Sequence, residues 1–395
     1  MLEDSAHPSD RLLLPRWIAE RIRHFNYQVI DWIDLSLKSS QAPESVFKIS
    51  TEDIEKIREP ASDKAKLLAT SFLMVEPTLS KVEDWEALID ARTTTQISSL
   101  TDACPSLGQV TRATFYYQNK AYISLLIEVL NMSFVAAPIC GISLDVARFL
   151  LQVPQHRLES AIARSAFPLF RWRITVPLFW HDLSTGTLKG ESLMHYLMRG
   201  SPVRIDDLPA AELIGDRGFT RLQAETYADF FLRLGARAST VSESFHMTAT
   251  AARSAYKRIH DESSPVGKKP TSVAWYVESS RNRMHATVFT WLYRAALGAG
   301  ANAPEAHIAA YALYRRQFGG DFVLALERAC SLTRTMATDS TLAVVACRSC
   351  GTPYIIANND TKVELPNRYH CPVCTNTLNH GRGRAKGKID KTDPS

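Results

Sequence analysis

The chain has 395 residues, of which 45% are hydrophobic and 22% charged, with a formal net charge of +5. This balance is that of a globular protein of several domains and excludes a wholly disordered or collagen-like chain. Charge is uneven: residues 215–395 carry 24 Lys and Arg against 15 Asp and Glu, and residues 1–214 carry 22 against 26, so the basic half is the one suited to a polyanion and the acidic half to protein contacts.

Met1 to Asp10 is polar and lacks the basic start and apolar run of a signal peptide. A cytoplasmic, reducing location is therefore expected, with the seven cysteines as thiols or metal ligands. Helical periodicity predicts long helices over Ala19 to Leu37 and Phe115 to Val135. The apolar run Tyr122 to Cys140 is interrupted by Glu128, Asn131 and Pro138, which fits a buried helix and not a membrane span. The first half repeats: Ile49-Ser50-Thr51-Glu52-Asp53-Ile54, then Pro60, then Ala69 to Phe72, returns about 93 residues later as Ile142-Ser143-Leu144-Asp145-Val146, Pro154 and Ala163 to Phe167. Ser50 or Thr51, and Ser143, read as helix N-caps, and Pro60 and Pro154 as first helical residues. Linkers are expected near Ser99–Val110 and Arg199–Arg217.

Further on, Phe219 to Leu234 reads as a helix with Leu222, Tyr227, Phe230, Phe231 and Leu234 inward, and Gly235 as its break. A short helix over Val241 to Phe245 follows, then the turn His246-Met247, an N-cap at Thr248 and a helix from Ala249 to about Ile259. The apolar stripe of this last helix is Ala251, Ala252, Ala255, Tyr256 and Ile259. Thr250, Arg253, Lys257 and His260 line another face. That is a helix-turn-helix pattern, with a stripe suited to base edges and phosphates. Lys268, Lys269, Arg281 and Arg283 are further candidate phosphate contacts. So are Arg382 and Arg384 in the Gly- and Lys-rich tail, which is expected to be disordered.

Strand signals are confined to Leu342–Ala346 and Tyr354–Ala357, beside Cys347-Arg348-Ser349-Cys350 and Cys371-Pro372-Val373-Cys374. Two C-x2-C knuckles twenty residues apart predict one tetrahedral four-thiolate zinc site. Four protein ligands leave no open position, so the predicted zinc is structural and the chain is expected not to be an enzyme. Cys104, Cys140 and Cys330 read as core thiols.

These stretches, FFLRLGARASTVSESFHMTATAARSAYKRIHDESSP (230–265), SVAWYVESSRNRMHATVFTWLYRAALGAGANAPEAHIAAYALYRRQF (272–318), LALERACSLTRTM (324–336) and the pairs CRSC and CPVC, resemble the flagellar transcriptional activator FlhC over residues 222–374. The resemblance implies a helical DNA-binding subunit whose four-cysteine zinc site falls on Cys347, Cys350, Cys371 and Cys374. The repeated half resembles FlhD, the partner of FlhC, the better match being residues 122–174. FlhD is a small helical dimerising protein, present at twice the number of FlhC in their complex. The resemblance thus implies a natural fusion in which two FlhD-like units precede one FlhC-like unit. The chain is far longer than an ordinary FlhC, and so is the loop between its cysteine pairs.

The expected architecture is mainly α. FlhD-like helical units occupy 1–98 and 111–200, an FlhC-like DNA-binding domain 215–340, a small zinc-ribbon-like module 341–379 and a basic tail 380–395. The expected function is a promoter-binding transcription activator acting as a homo-oligomer, with RNA polymerase as a further partner and no membrane or small-molecule substrate. A zinc-stapled scaffold or antagonist that partners another regulator is the alternative.

Overall fold

The computed structural model describes residues 10–378, apart from 105–107, 216–217, 268–269, 271 and 360–361. It is mainly helical, as the periodicity predicts. The first half runs α1 (Arg16–Lys38), α2 (Glu44–Phe47), α3 (Thr51–Arg58), α4 (Lys64–Leu68), β1 (Val75–Pro77), α5 (Val82–Ile89) and α6 (Thr95–Ala103). The same order returns as α7 (Gln109–Met132), α8 (Ala136–Cys140), α9 (Leu144–Gln152), α10 (Gln155–Arg164), β2 (Phe170–Trp172), α11 (Pro177–Ser184) and α12 (Gly190–Arg199). In α1 the buried residues Ile18, Ile22, Phe25, Val29 and Ile33 recur every three or four positions and form one inward stripe. Ser50 caps α3 in a reciprocal box with Asp53, and Ser143 caps α9 by accepting from the Val146 amide.

Proline is placed differently from the sequence reading. Pro60 lies in the turn between α3 and α4, and α4 starts only after Asp63. Pro154 stands at the N-cap of α10, one residue before the helix. Nor is Ser99 in a linker: α6 continues to Ala103.

The two copies embrace each other about an approximate twofold axis. β1 and β2 pair antiparallel, Glu76 opposite Arg171, with Val75↔Trp172 and Pro77↔Phe170 on either side. Asn26 of α1 donates to the Phe72 carbonyl (2.8 Å) and accepts from the Met74 amide (3.0 Å). Asn119 of α7 does the same with Phe167 (3.0 Å) and Leu169 (2.8 Å). Across the axis Thr78 N–H donates to Leu169 O and Arg173 N–H to Met74 O, at 3.1 and 3.0 Å. α5 packs on α9 and α10 of the other copy, and α11 packs back on α3.

A packed connection through a 3-10 turn at Ile205–Asp207 leads into α13 (Arg221–Arg233), α14 (Ala238–Ser244), α15 (Ala249–His260), α16 (Trp275–Glu278), α17 (Ser280–Gly298), α18 (Ala303–Phe318) and α19 (Leu326–Thr338). Ile205 and Leu208 are buried and the Val203 carbonyl accepts from Trp291, so this stretch is anchored where a linker was expected. A three-stranded antiparallel sheet closes the fold, β3 (Leu342–Ala346), β4 (Pro353–Asn359) and β5 (Lys362–Val363). α17 is the hub: it packs on α12, α18, α19 and β4.

The twofold is broken by this docking. In α12 the residues Leu193, Met194 and Leu197 are buried. The corresponding residues of α6, 95 positions earlier, are Ser98, Ser99 and Asp102, and Ser99 and Asp102 are exposed. Only the second copy therefore offers the apolar face that α17 covers.

Candidate metal centre and nucleic-acid interface

The first cysteine pair sits at the turn between β3 and β4, where Gly351 adopts φ +72, a left-handed conformation open to glycine without strain. The Gly351 amide closes the knuckle on the Cys347 carbonyl at 2.8 Å, and the Cys347 amide donates to Thr352 O at 2.9 Å. The second pair follows a 3-10 turn at Pro366–Arg368, and the Arg348 amide ties the two knuckles together by donating to Tyr369 O. The four Sγ atoms lie within 4.8 Å of one another, and Cys350 and Cys371 are 3.7 Å apart. A tetrahedron of thiolates about 2.3 Å from zinc has edges of about 3.8 Å. The Cys371 amide points at Cys347 Sγ (3.2 Å) and the Cys374 amide at Cys371 Sγ (3.5 Å), the N–H···S pattern that stabilises thiolate.

Cys347 and Cys371 are buried, Cys350 is half-buried and Cys374 is exposed. A hydrogen bond from Cys371 pulls the Cys350 thiol well below the ordinary thiol range, while burial pushes Cys374 up to about 12. The donor set fits one metal ion. Cys104, Cys140 and Cys330 are buried and lie outside this cluster. Burial raises Cys104 to about 11.

Three aromatic-lined helices make the second candidate. Phe245 packs its ring on Phe231 and Tyr227, at 5.1 and 6.4 Å, and Phe219 meets Tyr227 edge to face at 5.6 Å. His246 supplies the tight turn between α14 and α15 in left-handed conformation, φ +51, and Thr248 caps α15 through the Ala251 amide. The unit is clamped to the core by two glutamates. Glu305 accepts from Tyr227 (3.0 Å), and Glu327 accepts from the Arg237 amide (2.6 Å) and from Thr240.

On α15, Thr250, Arg253 and Lys257 are exposed. Neither Arg253 nor Lys257 has an ion-pair partner among the described residues. Ala251 is exposed as well, so it does not belong to the inward stripe, which is carried by Ala252 and Tyr256 with Ala255 and Ile259 beside them. Likewise Leu222 of α13 is half exposed at 50% and does not face inward. His260 turns back: its Nε2 lies 2.8 Å from the Leu232 carbonyl and its ring packs tilted against Tyr256 at 4.5 Å, so it joins α15 to α13 and leaves the outer line.

Arg283 is the clearest correction. It is buried, donates to Glu364 (2.7 Å) and the Val277 carbonyl (3.1 Å), and lies over the Tyr369 ring. It anchors the metal module to α17 and has no surface to offer a phosphate. Arg281 is exposed but donates to Glu191 and to the Asp321 carbonyl. Lys268, Lys269, Arg382 and Arg384 lie outside the described residues.

Sequence reasoning passed over two features. Ser254 and Arg258 share the exposed side of α15, and Arg258 reaches Asp229 at 3.6 Å. The helical register could have included them. It also passed over His195 on α12, which is 1% exposed and whose Nδ1 lies 2.8 Å from Tyr354 Oη. A histidine inside the apolar run Leu193 to Leu197 was the available signal.

A sequence model described as flagellar transcriptional activator (FlhC) matches residues 222–387. Two curated relatives are also similar to this chain. A flagellar transcriptional regulator FlhC of Gallionella capsiferriformans is 29% identical over 161 residues, covering 40% of this chain and 85% of that protein. A flagellar transcriptional regulator FlhC of Cupriavidus metallidurans is 25% identical over 157 residues, covering 39% of this chain and 71% of that protein.

Proposed function

We propose, from a C-terminal region that is of the FlhC flagellar transcriptional regulator type, that this chain is a promoter-binding transcription activator of the cytoplasm with a structural zinc at Cys347, Cys350, Cys371 and Cys374. The observation that carries the reading is α15, a capped helix following a tight turn, which exposes Thr250, Arg253 and Lys257 from a unit clamped at Glu305 and Glu327. Such a helix offers a major groove one cationic edge, and the clamps fix its direction relative to the rest of the molecule. Zinc suits four sulfurs at this spacing, and a closed four-thiolate shell holds the fold and leaves no site for hydrolytic chemistry. The two embracing helical copies are the FlhD-like part, 1–98 and 111–200. They act as an intramolecular dimer that carries the 215–340 domain and the 341–379 module, and RNA polymerase is the further protein partner.

Selection of duplexes from a random pool by the purified chain tests the reading. The wild type enriches one sequence, with affinity falling steeply as salt rises. Arg253→Ala/Lys257→Ala enriches none and flattens the salt dependence by about one unit of slope for each lost phosphate contact. Equal enrichment by both proteins would remove α15 from the interface.

A further inference from the structure

We propose that a cationic groove built jointly by the N-terminal segment and α18 receives the phosphate backbone of duplex DNA beside the stretch read by α15. The inference rests on the reading of α15 as a DNA-facing helix and extends that interface onto the N-terminal half. Leu13 and Leu14 ahead of α1, Leu234 at the end of α13 and Arg315 and Arg316 of α18 line a groove of about 480 Å³, and no carboxylate is among its lining residues.

The charge on this groove is uncompensated. Elsewhere in the C-terminal half exposed arginines are met by carboxylates: Arg221 by Glu225, Arg233 and Arg258 by Asp229, Arg281 by Glu191. Arg316 is exposed and has no ion-pair partner among the described residues. Arg315 donates to the Leu234 carbonyl at 3.2 Å and lies over the Phe322 ring. Arg23 of α1 is a third cation without a carboxylate among the described residues; its Nε donates back to the Ala19 carbonyl at 3.4 Å. The chain between them holds α1 and the end of α18 together, since Asn26 donates to the Phe72 carbonyl and the Thr70 hydroxyl to Gln317 Oε1 at 2.9 Å. Desolvation and then the charge of Arg23 hold the Arg316 guanidinium below its usual range. Like charges gathered without a counterion repel, and a polyanion relieves that repulsion.

Continuity with α15 favours DNA as the polyanion. Arg315 binds the last turn of α13 at Leu234, and His260, in the last turn of α15, lies 2.8 Å from the Leu232 carbonyl. Groove and helix therefore lean on the same end of α13. Phosphate contacts carry no base information, so the groove adds affinity and salt dependence without altering sequence preference.

The test uses the full chain and the labelled duplex that it enriches from a random pool, with binding followed by fluorescence anisotropy over a salt series. Arg23→Gln/Arg316→Gln is expected to bind more weakly, with the salt slope reduced by about one unit for each arginine that meets a phosphate, and to enrich the same sequence as the wild type. Arg316→Glu, which sets a carboxylate near Arg23, is expected to lower DNA affinity further while its thermal midpoint stays at or above that of the wild type, so that lost binding is separated from lost fold. A folded double variant with the wild-type salt slope overturns the proposal; should the double variant not fold, Arg316→Gln alone is read in the same way. Unchanged DNA binding with loss of a glutamate-rich peptide probe that the wild type holds would give the groove to an acidic protein segment and overturn the proposal. Loss of binding in Arg253→Ala/Lys257→Ala but not in the groove variants overturns this inference alone. A wild-type chain that enriches no duplex overturns the DNA-binding reading, and this inference with it.

Discussion

His307 is fully buried in α18, with Nδ1 2.8 Å from the Ala303 carbonyl and Nε2 2.8 Å from Thr333 Oγ1. Burial lowers its pKa from 6.5 to about 4. The folded state therefore holds the neutral ring while the unfolded chain protonates first. Stability is unaffected above about pH 6.5 and falls as pH drops toward 4, by roughly 3 kcal/mol across the window. Urea unfolding at pH 7.5, 5.5 and 4.5 checks this, because His307→Leu should show a shallower pH slope than the wild type and parallel slopes would contradict it. Arg283 shows the opposite outcome of burial. It stays charged because Glu364 meets it, and that pairing raises its pKa against the lowering effect of desolvation. Composition alone could not distinguish it from a surface cation. Arg283 lies on a buried side of α17 and its partner Glu364 comes from a loop 81 residues on, while Arg281 at the exposed start of the helix pairs with Glu191 of α12.

Among the elements, the shortest are the least legible and the most consequential. β1 and β2 have three residues each, Val-Glu-Pro and Phe-Arg-Trp, and neither alternates long enough to read as a strand. Each exists because the other copy supplies its ladder 95 residues away. The capped helices were legible, since Ser50, Ser143 and Thr248 act through neighbours three residues on. The cysteine knuckles and both predicted strands beside them were legible for the same local reason. Asn26 and Asn119 are the buried brackets of the twofold, each satisfying one backbone carbonyl and one amide of the chain entering its strand. Replacing Asn26 with alanine removes the partners of the Phe72 carbonyl and the Met74 amide, whereas replacing Asn119 leaves the Leu169 amide without its partner while the Phe167 carbonyl keeps the Ser165 hydroxyl, at a cost of about 1–3 kcal/mol per unpaired group. Denaturation should show losses for both Asn26→Ala and Asn119→Ala, the larger for Asn26→Ala, since the twofold places the two asparagines at equivalent brackets. A large loss at one and none at the other would deny that equivalence.

At the scale of the molecule, two copies and one C-terminal unit meet at α12 and α17, with the metal module lying over the junction. The first copy's α6 carries Ser98, Ser99 and Asp102 where α12 carries the buried Leu193, Met194 and Leu197. On the proposed function, one chain carries two FlhD-like units for each DNA-facing unit. We expect two chains to pair, and light scattering should give twice the 44.1 kDa chain mass. A stable monomer that binds specific DNA alone would contradict that expectation. The helix-turn-helix was traceable in the sequence because its cap, turn and apolar spacing are local. The clamps from Glu305 and Glu327 were not, because they reach it from α18 and α19.

In the proposed function Arg253 and Lys257 face promoter DNA. Genome-wide occupancy of the wild-type protein beside Arg253→Ala/Lys257→Ala tests it most directly. Discrete promoter peaks are expected for the wild type, and they vanish in the variant while metal content and fold are retained. A wild-type protein that is folded and metal-loaded yet gives no peaks, or a variant whose peaks match the wild type, would contradict it.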